Sequence, residues 1–159
     1  MAKLIVRGLR DGDIETIAAG LRQADRDEIE ATTGETDAQP ALQLGADTST
    51  LLWTIEVDGA AAGLFGTAPV SERTAVPWML GTDALDRIPK PLVRMGRTYV
   101  HRMTEKYDTL LNYVDARNLK SIYWLARIGF KVSRDTVPWG VSGLPFHQFW
   151  IERTCARQI

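Results

Sequence analysis

Residues 107 to 130, Tyr-Asp-Thr-Leu-Leu-Asn-Tyr-Val-Asp-Ala-Arg-Asn-Leu-Lys-Ser-Ile-Tyr-Trp-Leu-Ala-Arg-Ile-Gly-Phe, constrain the fold more than any other segment, because they read as strand, polar turn and helix in immediate succession. Leu110 to Val114 is a short apolar run suited to a strand buried on both faces, whereas Ile122, Leu125, Ala126 and Gly129 recur at helical spacing. Asn118 or Ser121 can accept a hydrogen bond from the first turn of the helix, and Gly129 can adopt the left-handed conformation that ends it. Phe130 then packs back on the last turn.

The periods alternate along the rest of the chain. Lys3 to Leu9 reads as a first strand, after which Asp11 or Asp13 caps a helix with Ile14, Ile17, Ala18 and Leu21 on one apolar stripe, and a second short helix follows. Residues 32 to 49, rich in Thr, Gly, Asp and Ala and containing Pro40, predict a loop or a weak helix around Pro40 to Leu44. Thr50 to Val57 is a strand with Leu51, Trp53, Ile55 and Val57 on one face, and Asp58-Gly59 turns it into Ala60 to Thr67. Ala75 to Gly81 is the fourth strand; Pro89 and Pro91 mark the start of a long helix reaching about Tyr107. After the fifth strand and its helix come a short extended piece at Lys131 to Ser133, a Pro/Gly-rich loop at 138 to 145 and a last strand, Phe146 to Arg153.

The length of 159 residues suits one domain, and 19 basic against 20 acidic residues leave a net charge of -1, so no global field draws the protein to nucleic acid or anionic lipid. The lone Cys155 excludes an intramolecular disulfide, and with two histidines and no ligand-spaced cluster no metal site is expected. No segment approaches the ~18 apolar residues of a membrane span and the N-terminal apolar run is too short for a signal peptide, so a cytoplasmic protein is expected.

The pattern Asn118-x-x-Ser121-Ile122-x-x-Leu125-x-x-Ile128-Gly129-Phe130 resembles the last motif of the GNAT acetyltransferase superfamily, where a helix after the fifth strand lies beside coenzyme A. Residues 103 to 114, Pro-Trp-Met-Leu-Gly-Thr-Asp (77 to 83), Ala-Asp-Arg-Asp-Glu-Ile-Glu-Ala (24 to 31) and the Asp-Gly turn with its Ala/Gly-rich strand (58 to 66) resemble the internal virion protein A family of short-tailed bacteriophages, itself regarded as GNAT-like. Together the resemblances imply a single α+β GNAT-like domain over residues 1 to 159, its mostly antiparallel sheet splayed between the fourth and fifth strands and flanked by helices. They also imply a phage-encoded binding or assembly factor, in virion morphogenesis or host takeover, with a phage or host protein as partner. The alternative is an N-acetyltransferase with acetyl-CoA as cofactor. If acetyl-CoA binds, the resemblance places Leu80, Thr82, Arg94, Gly96, Arg97, Asn118 and Leu125 against it.

Two departures from the GNAT pattern favour the binding role. The turn after the fourth strand usually carries Gln/Arg-x-x-Gly-x-Gly/Ala, whose backbone N–H groups hold the pyrophosphate. Here Val93-Arg94-Met95-Gly96-Arg97-Thr98 keeps only the first glycine and falls inside a helix, so Gly96 reads as a close-packing position. The Tyr that many relatives place seven residues after the motif's Asn is replaced by Leu125, and Tyr123, about 200° away around the helix, does not substitute for it.

Other side chains could still carry chemistry. Lys90, Arg94, Arg97 and His101 form a basic stripe suited to coenzyme A phosphates or a nucleic-acid backbone, or simply a solvated face opposite Leu92, Met95, Tyr99 and Met103. Asp25 and Glu28 have capping-box spacing; Glu28 is alternatively a carboxylate at the mouth of an acceptor groove. Asp83 and Asp115 follow central strands, where sites tend to form, so Glu28, Asp83 and Tyr123 stand as catalytic candidates. Asn112, in an apolar strand, is expected to tie neighbouring backbone together, Trp53 to pack in the core, and Trp78 and Trp139 to be freer to line a groove. His147 reads as structural.

Overall fold

The computed structural model describes residues 2 to 153, so Cys155 lies outside the described residues. Among these residues the chain runs β1 (Leu4–Arg7), α1 (Asp13–Ala19), α2 (Gln23–Thr33), α3 (Ala38–Thr48), β2 (Leu51–Val57), β3 (Ala60–Pro69), β4 (Thr74–Gly81), a 3-10 turn (Asp83–Arg87), α4 (Pro89–Lys106), β5 (Thr109–Asp115), α5 (Leu119–Arg127), β6 (Lys131–Trp139) and β7 (Leu144–Glu152). One seven-stranded sheet results, in the order β1-β2-β3-β4-β5-β7-β6, antiparallel except between β4 and β5. One face packs against α4 and α5 through Leu92, Met95, Val100, Met103, Leu125 and Ile128. The other packs against α1 to α3 through Ile14, Ile17, Ile29 and Leu42.

The parallel pairing of β4 with β5 is confined to Thr74–Thr109 and Ala75–Leu110. A physical cause is visible in the sequence of β4. The bond from Thr82 N–H to Ala62 C=O fixes the phase of the β3–β4 ladder, and antiparallel alternation then turns the backbone groups of Ala75, Pro77, Met79 and Gly81 toward β5. Pro77 has no N–H to donate, so the bond that would carry the ladder with β5 past Ala75 is missing. Asn112 spans the widening gap instead, its Nδ2 donating to Pro77 C=O at 2.8 Å while its Oδ1 accepts from Tyr113 N–H at 2.8 Å. It ties backbone together, as expected.

Several boundaries differ from the sequence reading. Residues 38 to 48 form a full helix, because Asp37 caps it by accepting from Gln39 N–H and Pro40 sits in the first turn, where no backbone N–H has an intrahelical partner. The 138 to 145 loop shrinks to a turn, since β6 extends to Trp139 and β7 begins at Leu144; Pro138 is tolerated because β6 is an edge strand. Neither Asp11 nor Asp13 caps α1, which begins at a left-handed Gly12. Asp13 is buried instead, where it meets Arg7 at 2.7 Å and Thr54 Oγ1 at 3.0 Å; the Arg7 guanidinium holds its carboxyl below the usual range.

Candidate active site at the splayed strands

The parted strands open a cavity of about 430 Å³ that passes from the α1–α3 face of the sheet to the α4–α5 face. Its walls on the first face include Glu28, Leu44, Gly45, Trp78 and Leu80, and on the second Met95, Gly96, Trp124 and Leu125. α2 crosses its mouth. Asp25 and Glu28, three residues apart and so on one side of that helix, each hold the end of one diverging strand. Asp25 Oδ2 accepts from Gly81 N–H at the end of β4 (2.9 Å), and Glu28 Oε1 accepts from Asp115 N–H at the end of β5 (2.8 Å). The capping-box expectation is therefore corrected: α2 begins at Gln23, so both carboxylates lie inside the helix and turn inward, where they satisfy strand ends.

The two acids differ. Asp25 is buried, and desolvation raises its pKa; Arg22, at 2.9 Å, opposes that rise and closes the carboxylate within an ion pair. Glu28 is only partly covered and makes no ion pair within 4 Å among the described residues; Arg117, which feels its charge, is paired with Asp115. Its pKa is pushed up to about 7, chiefly by desolvation, against the bonds from Asp115 N–H and Asn118. Both bonds fall on Oε1, with Asn118 Nδ2 at 3.4 Å, which leaves Oε2 without a partner among the described residues. Asp115 is itself no base. Burial opposes its charging, but Arg117, at 2.6 Å, outweighs that and holds it below the usual carboxylate range.

A second, larger groove of about 860 Å³ opens on the α4–α5 face. Arg22, Lys90, Arg94, Arg97, Lys120 and Arg127 line it, and Asp86 is the acid among its lining residues. Part of the basic stripe is thus a groove wall completed by α5, while His101 falls outside it, beside Glu105 at 3.3 Å. The backbone contributes little here. Pro89 and Pro91 lack N–H groups and Leu92 N–H bonds Ile88 C=O, so Lys90 is left as the free donor in the first turn of α4. Side-chain cations stand where a glycine-rich turn would offer backbone amides.

Cavity and groove meet at Arg22, Met79, Ser121 and Trp124, which line both. Of the β4 groups facing the gap, Pro77 C=O is taken by Asn112, Gly81 N–H by Asp25 and Gly81 C=O by Arg22 N–H. Met79 N–H and C=O face the same gap and have no ladder partner on β5 among the described residues. Trp124 Nε1 is buried without a hydrogen-bond partner among the described residues, a donor that costs free energy unless something accepts from it.

Among the remaining candidates, Leu80 and Leu125 are apolar cavity walls, Leu125 being only 7% exposed. Gly96 is a packing position, since a Cβ there would lie 2.7 Å from Ile128 Cγ2 and 3.1 Å from Trp124 Cζ2. Asn118 caps α5 through Ser121 N–H and also reaches Glu28. Three candidates lie outside the cavity. Tyr123 is 64% exposed and its hydroxyl accepts from Arg127 Nη1 at 3.0 Å; it lines the groove and not the cavity. Asp83 is exposed in the 3-10 turn and lines neither opening; Thr82 is spent capping that turn through Ala84 N–H. Trp53 packs in the core against Phe65 and Tyr99, Trp78 lines the cavity, Trp139 stacks on Tyr113, and His147 Nδ1 meets Ser133 C=O in a structural contact.

No family model matches the chain, and no curated protein matches it in sequence. Solved structures do. A spermidine N-acetyltransferase from Vibrio cholerae, in complex with CoA and spermine, superposes with a TM-score of 0.65 at 14% identity over 97% of this chain and 98% of that one. The aminoglycoside acetyltransferase AAC(6')-Ib, in complex with acetyl-CoA and an aminoglycoside, gives 0.71 at 14% identity over 98% and 96%. The chain has the GNAT acetyltransferase fold. The ribosomal-protein-S18-alanine N-acetyltransferase from Escherichia coli agrees, at 0.65 and 15% identity over 94% of each chain. None of these comparisons supports the internal virion protein A resemblance. No helix among the described residues is long and apolar enough to cross a membrane.

Proposed function

We propose that this protein is an acetyl-CoA-dependent N-acetyltransferase in which Glu28 accepts the proton of the acceptor amine. The observation that carries the reading is the placement of Glu28 on the cavity wall, oriented through Oε1 with Oε2 unengaged among the described residues; desolvation, which pushes its carboxyl up to about 7, agrees with it. A base near neutrality combines availability with driving force, and geometry that fixes one oxygen aims the other. The residues present also fit the cofactor. Lys90, Arg94, Arg97 and Lys120 would hold its phosphates, and the gap-facing backbone of Met79 with the orphaned Trp124 Nε1–H would meet its amide-bearing arm at the junction. Acetyl-CoA would supply a thioester whose C–S bond breaks as the amide N–C bond forms, with a thiol of pKa near 8.5 leaving without strong acid help. Leu125 offers no proton at that step; it and Met95 exclude water from the cavity wall.

An assembly-factor role for a phage-encoded protein rests on the sequence resemblance alone, and the acetyltransferase neighbours support the enzymatic reading better. Calorimetric titration with acetyl-CoA, followed by thiol release over a panel of amines, tests it. Saturable micromolar binding and amine-dependent release are expected. Absence of binding at millimolar acetyl-CoA would return the chain to the binding-platform reading.

A further inference from the structure

The acceptor side of the cavity narrows the substrate class, an inference that rests on the acetyl-transfer reading. Two carboxylates reach it, and Asp25 is closed by Arg22 and Gly81 N–H, so Glu28 alone is left to meet a cation. A polyamine or aminoglycoside would bring further ammonium groups into a space with no anion for them, and a desolvated unpaired charge is expensive. Most of the remaining wall is apolar or aromatic, with Thr32, Thr48, Asn112 and Ser121 among its uncharged polar members. Trp78 is fixed by a bond from its Nε1 to Ser49 Oγ at 2.8 Å, and its ring lies so close to α3 that a Cβ at Gly45 would be 2.6 Å from Cζ2. Gly45 is the residue that lets the ring lie against the helix. Tyr113, across the cavity, is held by stacking on Trp139, with ring centroids 3.7 Å apart and planes 17° from parallel. Leu44 stands at the rim and is 64% exposed, a large apolar side chain left uncovered beside the opening.

We infer that the acceptor is a primary amine bearing a single positive charge on a flat, apolar body, an arylalkylamine in chemical class. Its ammonium nitrogen would reach Glu28, and its body would fill the space between Trp78, Tyr113 and Leu44. A cavity of about 430 Å³ lies within the range that holds small ligands. Fixed aromatic walls lose little side-chain freedom when such a body binds.

The test uses the full chain with tryptamine, phenethylamine, spermidine, kanamycin and a short peptide with a free N-terminus, reading thiol release from acetyl-CoA. Calorimetry of tryptamine and spermidine without acetyl-CoA runs beside it. The expected result is a kcat/KM for tryptamine at least tenfold above that for spermidine, kanamycin or the peptide, with the same order in binding. Trp78→Ala should raise the tryptamine KM about tenfold. Leu44→Asp, on an exposed position that leaves the core intact, should move selectivity toward spermidine by a similar factor by adding a second anion at the rim. Turnover that prefers spermidine, kanamycin or the peptide would overturn the substrate class while leaving acetyl transfer standing. Acetyl-CoA binding without release from any amine, together with no heat from tryptamine, would overturn both.

Discussion

Replacing Glu28 by Gln should make the protein more stable and less active at once, and the two effects have one cause. Gln keeps the shape and a carbonyl oxygen for Asp115 N–H but carries no charge into the cavity. Glu28 titrates from an ordinary 4.5 up to about 7 in the fold, so between those values the folded state retains a proton that the unfolded chain has lost. Stability contributed by this residue therefore falls as pH rises from about 4.5 to about 7 and stays low above. At 1.36 kcal/mol per pKa unit the full cost is up to about 3 kcal/mol. Water in the open cavity and the loss of a charge-assisted bond to Asp115 N–H, about 1 kcal/mol, reduce the gain in the variant to roughly 1–2 kcal/mol. For a chain of this size that is a rise in Tm of roughly 2–8 °C at pH 8, vanishing below about pH 4.5. Removal of a general base should lower kcat/KM about 10²- to 10⁴-fold and abolish the rising limb of its pH profile near 7. Thermal unfolding at pH 4 and pH 8, with kcat/KM measured between pH 5.5 and 9, checks both halves. A variant less stable than the parent at pH 8, or one that keeps the limb near 7, would refute the assignment of Glu28.

Other outcomes follow from the same geometry. Arg94→Ala with Arg97→Ala should raise the acetyl-CoA KM at least tenfold and flatten its dependence on salt; stability should change little for exposed Arg94, somewhat more for Arg97, whose Nε donates to Arg127 C=O. Gly96→Ala should cost about 1–3 kcal/mol in urea unfolding, since the new methyl meets Ile128 and Trp124 at the junction. Asn112→Ala should cost about 1–2 kcal/mol and raise the amine KM, because nothing else bridges to Pro77 C=O across the gap; an unchanged KM would show that the brace does not set the cavity's width.

Local chemistry fixed much of this protein in advance. Apolar alternation and turn residues marked β2, the Asp58-Gly59 hairpin and β4, and Asn118, Gly129 and Phe130 bounded α5, because each signal acts within a few residues of its own position. The splay has one local contributor in Pro77, whose missing N–H bears on it because the pairing of β4 with β3 turns that position toward β5. The active-site candidates were a different matter. Asp25 and Glu28 have capping-box spacing, and which strand ends they meet depends on Gly81 and Asp115, respectively 56 and 87 residues farther along the chain. The exposed basic stripe on α4 became a groove when Lys120 and Arg127 of α5 closed over it, and the same closure left Tyr123 outside the cavity. A carboxyl's pKa is set by what removes its water and what faces it, and Glu28 acquires both from elements distant in sequence. The sequence alone thus determined most of the strands and helices, and through its GNAT resemblance the expectation of a splayed sheet; the tertiary structure decided that residues 38 to 48 form a full helix, where the sheet parts and which acid stands without an ion pair in the gap, because desolvation and charge pairing exist only once the chain has closed on itself.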